Sequence, residues 1–310
     1  MRLLRISISP IEHSFGGPPG PDPASSSPSL TLELVELLGN IPPYAILSHT
    51  WGDEEVTFRD MEDMEKARKK QGFGKVMGAF QLAWSQGYEY IWIDSCCINK
   101  DSSAELSEAL NSMFQYYENS EVCYVYLSDV PNALDSGDLM AGNSAFRRCK
   151  WFTRGWTLQE LLAPSELVFY DQDWKEIGTK FSLHEAITII TGIPTEVLFG
   201  EHLNAFSIAK RMSWAALRQT TRPEDQAYSL MGIFGVNMPP IYGEGLANAF
   251  MRLQLEIIRS SNDRSIFAWT ASSDDHDWDN RGLFARSPFE FRYSDDVAWA
   301  YTKMEIPPLP

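Results

Sequence analysis

Three short apolar runs, each ending in polar residues and separated from the next by a helical pattern, constrain this chain more than any other feature. Residues 44–47 lead into Ser48, His49, Thr50 and Trp51, and Gly52 allows a sharp exit. Tyr88-Glu-Tyr-Ile-Trp-Ile-Asp94 is rich in aromatic and β-branched residues and runs on into Ser95-Cys-Cys-Ile-Asn99. Val122-Cys-Tyr-Val-Tyr-Leu127 is the third run. Between the first two, Phe73, Val76, Met77, Phe80, Ala83 and Trp84 recur at helical spacing until Gly87. Between the second and third, Ser102 or Ser103 caps a helix that places Leu106, Leu110, Met113, Phe114 and Tyr117 on one face. Strands alternating with helices at this spacing predict an α/β fold with a doubly wound, mainly parallel sheet. Ligands of such sheets bind outside the carboxyl ends of the strands. Ser48, His49, Trp51, Asp94 and Asn99 all arrive there.

The remaining chain is arranged around that unit. Residues 2–8 and 30–37 read as short strands, joined by Gly16-Gly-Pro-Pro-Gly-Pro-Asp-Pro23 and serines 25–27, a surface loop by composition. Residues 129–148 form a polar loop, and 167–170 a fourth strand of the main unit. Helical patterns come next at 182–191, 207–217, 223–234 and 245–259, and 265–270 has strand-like composition. From Ser272 the chain turns acidic, then aromatic, and loose structure is expected there. The predicted organisation is an α/β domain over 1–178, a helical extension packed on it over 179–262, and an acidic, partly irregular tail over 263–310.

Composition narrows the function classes. A net charge of −16 makes the chain a poor electrostatic match for nucleic acid or anionic lipid. The one basic run, Lys66-Ala-Arg-Lys-Lys70, comes after a cluster of acids and reads as a solvated helix face. No apolar segment approaches the roughly 18–20 residues of a membrane span, and the first residues lack the long apolar stretch of a signal peptide. Cys96, Cys97, Cys123 and Cys149 show no CxxC spacing, so buried thiols of a soluble, cytoplasmic protein are expected. His13, His49, His184, His202 and His276 have no metal-site spacing, so no metal is expected.

One further stretch carries chemistry. Cys149-Lys-Trp-Phe-Thr-Arg-Gly-Trp-Thr-Leu-Gln-Glu-Leu-Leu-Ala-Pro164 is a short apolar helix ended by proline, with a single acid, Glu160. Helical spacing brings Trp156, Gln159 and Glu160 together, and Arg154 and Gly155 stand where the helix begins. An Arg beside free N–H groups makes an anion-facing corner. A carboxylate among large aromatics suits a sugar or ribosyl group. The competing reading is a packing helix whose Trp residues are core and whose acid is solvated.

Several of these stretches resemble a known family. Tyr44-Ala-Ile-Leu-Ser-His-Thr-Trp-Gly52, Tyr90-Ile-Trp-Ile-Asp-Ser-Cys-Cys-Ile-Asn-Lys100 and Arg154-Gly-Trp-Thr-Leu-Gln-Glu-Leu161 resemble the three blocks of the fungal heterokaryon incompatibility (HET) domain. Arg211-Met-Ser-Trp-Ala-Ala216, Thr221-Arg-Pro-Glu-Asp-Gln-Ala-Tyr-Ser-Leu-Met-Gly-Ile-Phe234 and Tyr242-Gly-Glu-Gly245 resemble the segment C-terminal to those blocks in the same family. The resemblance implies an effector that triggers regulated cell death when incompatible strains fuse, often attached to a nucleotide-binding receptor module. No P-loop occurs in this chain. Self-association with like domains and a receptor protein are the implied partners.

The order of the strands and the Trp156–Leu161 run also resembles, more distantly, Toll/interleukin-1 receptor (TIR) domains, which are flavodoxin-like in layout. In plant members a Trp-Cys-x-x-Glu-Leu run carries the glutamate that cleaves NAD⁺. Glu160 and Trp156 match that motif, whereas Thr157 replaces its cysteine. On this resemblance Glu160 is the catalytic candidate, and NAD⁺ is a substrate rather than a resident cofactor. Arg154 is expected at the pyrophosphate, Trp156 at the nicotinamide or ribose, and Ser48, His49, Trp51, Asp94 and Asn99 around the remainder. A lone His at a strand end is more often a hydrogen-bonded structural residue, and Asp94 has capping of the next loop as its alternative. A cysteine hydrolase using Cys96 or Cys97 with His49 lacks the basic setting such a thiol needs. The main rival is a non-catalytic, self-associating adaptor, which needs no carboxylate.

Overall fold

A computed structural model describes residues 1–8, 30–131, 139, 141–271 and 281–298; the Pro/Gly/Ser spacer expected at 16–27 lies outside them. Seven strands form one mixed sheet: β1 (Arg2–Ile8), β2 (Leu30–Glu36), β3 (Ala45–His49), β4 (Tyr90–Trp92), β5 (Val122–Tyr126), β6 (Leu167–Tyr170) and β7 (Glu176–Thr179), in the spatial order β2-β1-β4-β3-β5-β6-β7. The inner four, β4-β3-β5-β6, are parallel, as the alternating pattern predicts. The β1–β2 hairpin closes one edge antiparallel and β7 the other. All five residues of β3 are buried, as a strand flanked on both sides and covered on both faces must be.

The helices that matter here are α1 (Phe73–Ser85), α2 (Asp94–Cys97), α3 (Ser103–Glu118), α4 (Thr157–Leu162), α5 (His184–Thr191), α6 (Ile208–Ser213), α7 (Asp225–Tyr228), α8 (Met231–Phe234) and α9 (Leu246–Ser260). From β3 the chain steps through α1 to β4, then returns through α3 to β5 on the other side of β3. With the right-handed crossovers that are the rule for such connections, α1 and α3 cover opposite faces. The strand order therefore reverses beside β3, which opens a crevice at its carboxyl end. Ser102 caps α3 by accepting the Glu105 N–H at 3.4 Å.

The C-terminal part departs from the sequence expectation in detail. The helix expected over 223–234 is two short helices, α7 and α8, and α8 ends at Gly235 with φ +64°. The one expected over 207–217 stops at Ser213. The strand-like run 265–270 is instead a 3₁₀ turn at Arg264–Phe267, because the Asp263 carboxylate accepts the Ser265 N–H at 2.9 Å and closes a local turn. Part of the tail expected to be loose packs on α9. The Gln254 side chain donates to the Ala285 carbonyl at 2.8 Å and accepts its N–H at 3.0 Å, and Phe291 is fully buried near Phe250.

α8 reaches the α/β layer through Gly232, where a Cβ would fall 2.2 Å from the Phe114 Cβ on α3. Exposed Gly→Ala in a helix gains up to about 1 kcal/mol. Here the clash wins, so Gly232→Ala is expected to destabilise the fold by roughly 1–3 kcal/mol. Urea unfolding of the purified variant checks this, and a midpoint equal to or above the parent's would contradict it.

Candidate functional site

At the carboxyl end of β3, the backbone turns Ser48 inward beneath the first turn of α4. Its hydroxyl donates to Glu160 Oε2 at 2.5 Å and accepts the Trp151 indole N–H at 2.7 Å. A fixed relay thus runs from Trp151 through Ser48 to Glu160, and all three side chains are buried. The Tyr117 hydroxyl on α3 also faces Glu160, and it donates to the Leu47 carbonyl at 3.2 Å. Burial pushes the Glu160 carboxyl up to about 8. The Asp94 charge adds to this, and the Ser48 hydrogen bond and the Arg218 guanidinium oppose it.

Glu160 forms part of the wall of a cavity of about 300 Å³. His49, Trp51, Asp94, Arg154 and Trp156 also line it, so the polar groups from the ends of β3 and β4 and from the start of α4 converge on one space. On one side the Trp51 indole donates to Asp94 Oδ2 at 3.0 Å, and Lys100 donates to the same oxygen at 3.3 Å while lying 3.5 Å over the Trp51 ring. Burial works against ionisation of Asp94, but Lys100 and His49 outweigh it and hold its carboxyl below the usual range. His49 Nε2 lies 3.8 Å from both Glu55 Oε2 and Asp94 Oδ1 and has no hydrogen-bond partner among the described residues. Burial, helped by Lys75, pushes its imidazole down to about 4, so it stands neutral at pH 7.

Two expected residues sit elsewhere. Ser48 is fully buried behind Glu160 and outside the cavity lining, so it orients the acid rather than touching a ligand. Asn99 does not line the cavity either. Its side-chain oxygen accepts the Asp101 N–H at 3.1 Å and its backbone N–H reaches Glu105 at 2.8 Å, which makes it a loop cap. The anion corner of free N–H groups at 154–155 is also altered. The Gly155 N–H is spent on the Gln219 carbonyl at 2.8 Å, while Gln219 N–H donates to Thr153 at 2.7 Å. A Cβ on Gly155 would meet Thr220 Cγ2 at 2.4 Å, so only glycine lets the extension approach this turn.

That approach brings in residues that sequence reasoning passed over. Arg218 is buried behind α4, donating to the Arg154 carbonyl at 2.9 Å and to Thr157 Oγ1 at 3.0 Å, and burial pushes its guanidinium down to about 10. Thr221, Arg222, Asp225 and Tyr242 form the far wall of the cavity. Asp225 accepts the Tyr242 hydroxyl at 2.9 Å, and burial pushes its carboxyl above the usual range despite that bond and one from Trp156. The runs 221–234 and 242–245 carry this wall, and their family resemblance was the available signal.

Nucleophilic cysteine chemistry finds no support in the geometry. Cys96 and Cys97 are buried, and burial raises both thiols, that of Cys96 to about 12. Among the described residues no group of three or more His, Cys, Asp or Glu is placed to hold a metal, and no helix is long and apolar enough to cross a membrane.

The fold and cavity define an α/β domain with a ligand-sized site at the carboxyl end of its parallel strands, roofed by a helical extension. Residues 44–144 match the family described as heterokaryon incompatibility protein (HET), and this chain is a HET-domain protein. Over 224 residues it is 50% identical to the vegetative incompatibility protein HET-E-1 of Podospora anserina, an alignment covering 71% of this chain and 16% of that protein. The chain therefore spans a small part of the length of this relative. No solved structure matches it significantly.

Proposed function

We propose that the chain acts in heterokaryon incompatibility as an effector of regulated cell death, and that it cleaves the N-glycosidic bond of NAD⁺ with Glu160. Membership of the HET family and the likeness to a vegetative incompatibility protein support the first part. The second rests on one observation: the buried Glu160 carboxylate, oriented by Ser48 and Trp151, borders a cavity that also gathers aromatic and cationic side chains. The parallel strand order, with β3 between β4 and β5, is compatible with a TIR-like, flavodoxin-like layout. Like domains and a nucleotide-binding receptor module are proposed partners on the family resemblance, and the cytoplasm is the proposed location.

The chemistry needs little from the protein besides electrostatics. When the bond between ribose C1′ and the pyridinium nitrogen breaks, its electron pair stays on nitrogen and nicotinamide leaves neutral. The positive charge then develops on the ribosyl ring, where an oriented carboxylate stabilises it. Water takes the anomeric carbon and gives up one proton, so the products are nicotinamide, ADP-ribose and H⁺. The positive substrate also favours the ionised form of Glu160, offsetting the burial that raises its carboxyl.

The test is direct. Purified protein incubated with NAD⁺ is expected to release nicotinamide, measured by chromatography. Cell killing that persists in the complete absence of turnover would replace this reading with a non-catalytic, self-associating adaptor.

A further inference from the structure

The cavity is small for a whole dinucleotide. At about 300 Å³ it lies at the bottom of the roughly 300–1,000 Å³ range of small-ligand sites. It accommodates a nicotinamide ring with its ribose, so if NAD⁺ is the substrate its phosphates must pass the cavity mouth. Two arginines line the cavity from different parts of the chain, half-buried Arg154 ahead of α4 and exposed Arg222 ahead of α7, as groups at a rim are. Arg154 Nη2 donates to Thr221 Oγ1 at 3.0 Å, which ties the two segments together. The Arg222 guanidinium lies 4.1 Å over the Tyr242 ring, whose hydroxyl is itself held by Asp225.

Both guanidinia have capacity to spare. Each carries about five N–H donors, and among the described residues only the Arg154–Thr221 bond uses one. Neither arginine forms an ion pair with a described carboxylate. Of the acids nearby, Glu160 is pushed up by burial and Asp94 is matched by Lys100, while Asp225 and Glu224 feel the Arg222 charge without pairing with it; the Glu224 carboxylate instead accepts the Gly243 and Gly245 N–H groups. In a chain of net charge −16, this cavity is thus bordered by two guanidinia that form no ion pair with a described carboxylate.

Resting on the NAD⁺ reading, we infer that Arg222 and Arg154 form a two-armed phosphate clamp, which makes the preferred substrate a phosphorylated nicotinamide ribonucleotide rather than the bare nucleoside. Tyr242 holds the Arg222 arm by cation–π contact, so the arm is preorganised while its N–H donors stay out of any ion pair with a described carboxylate. The extension, rather than the sheet, would supply this selectivity.

Binding separates the clamp from the chemistry. ADP-ribose carries the pyrophosphate and lacks the scissile bond, so calorimetry with it reads the clamp whether or not the protein turns over NAD⁺. Arg222→Gln and Arg154→Gln are each expected to weaken ADP-ribose about 10- to 100-fold, the range for losing a charged hydrogen bond. Nicotinamide riboside, which has no phosphate, should bind both variants as it binds the parent. The parent's affinity for ADP-ribose should also fall with added salt. The clamp is wrong if the parent does not bind ADP-ribose, if Arg222→Gln binds it equally well, or if both ligands weaken alike. Arginine-dependent binding of ADP-ribose without nicotinamide release from NAD⁺ would keep the clamp and discard the cleavage.

Discussion

Glu160→Gln is expected to cut nicotinamide release from NAD⁺ on the order of a thousandfold, about 4 kcal/mol of transition-state stabilisation, and to leave the fold intact. The amide keeps the size of the carboxyl and the oxygen that accepts the Ser48 hydroxyl. Its NH₂ group faces the Tyr117 hydroxyl, whose hydrogen is already given to Leu47 and whose oxygen can accept. What disappears is the negative charge that meets the ribosyl cation. Because burial disfavours that charge in the folded protein, removing it should not cost stability. Measuring turnover and urea unfolding on the same preparation separates the outcomes. Full turnover in the variant would end the role of Glu160, and lost turnover with a collapsed unfolding transition would show only that the residue is structural.

Much of the inner architecture was legible in the sequence because it rests on short-range patterning. Residues 44–47 and 122–127 are continuous apolar runs, the signature of strands buried on both faces, and they became β3 and β5. Asp94 was placed correctly at a strand end, although the helical turn α2 starting on it was not foreseen. Glu160 and Arg154 stood out through local composition. The rest depended on contacts distant in sequence. Nothing near Ser48 announces that Trp151, far along the chain, would occupy its oxygen and turn it into a support for Glu160. Asn99 reads equally well as a ligand contact or a cap, and only Asp101 and Glu105 in space decide between them. Asp225 lies in a run that patterning assigns simply to a helix, and Arg222 immediately precedes it. Their place at the cavity depends on Gly155, which lets that run approach α4.

The pH dependence ties the folded state to the proposed activity through the same carboxyl. Glu160 moves from an ordinary 4.5 to about 8 on folding, so between those values the folded chain holds a proton that the unfolded chain has released. Stability must then fall as pH rises through that window. His49 works oppositely, because its shift from 6.5 to about 4 makes the unfolded chain the better proton binder between those values, and stability rises with pH there. The two oppose each other below pH 6.5. Above it Glu160 acts without His49, and the parent is expected to lose on the order of 2 kcal/mol between pH 6.5 and 8. Glu160→Gln should lack that slope, and an equal slope in both proteins would place the titration elsewhere. Catalysis runs the other way, since the ionised acid is the active form: kcat/KM for NAD⁺ should climb with pH and level off above about 8. Bound NAD⁺ brings a positive nicotinamide ring beside the carboxyl and favours its charged form, so the kcat profile should rise at lower pH than the kcat/KM profile. Coincident profiles would mean that the cationic ring does not sit against Glu160, and the acid would then have to act on another part of the substrate.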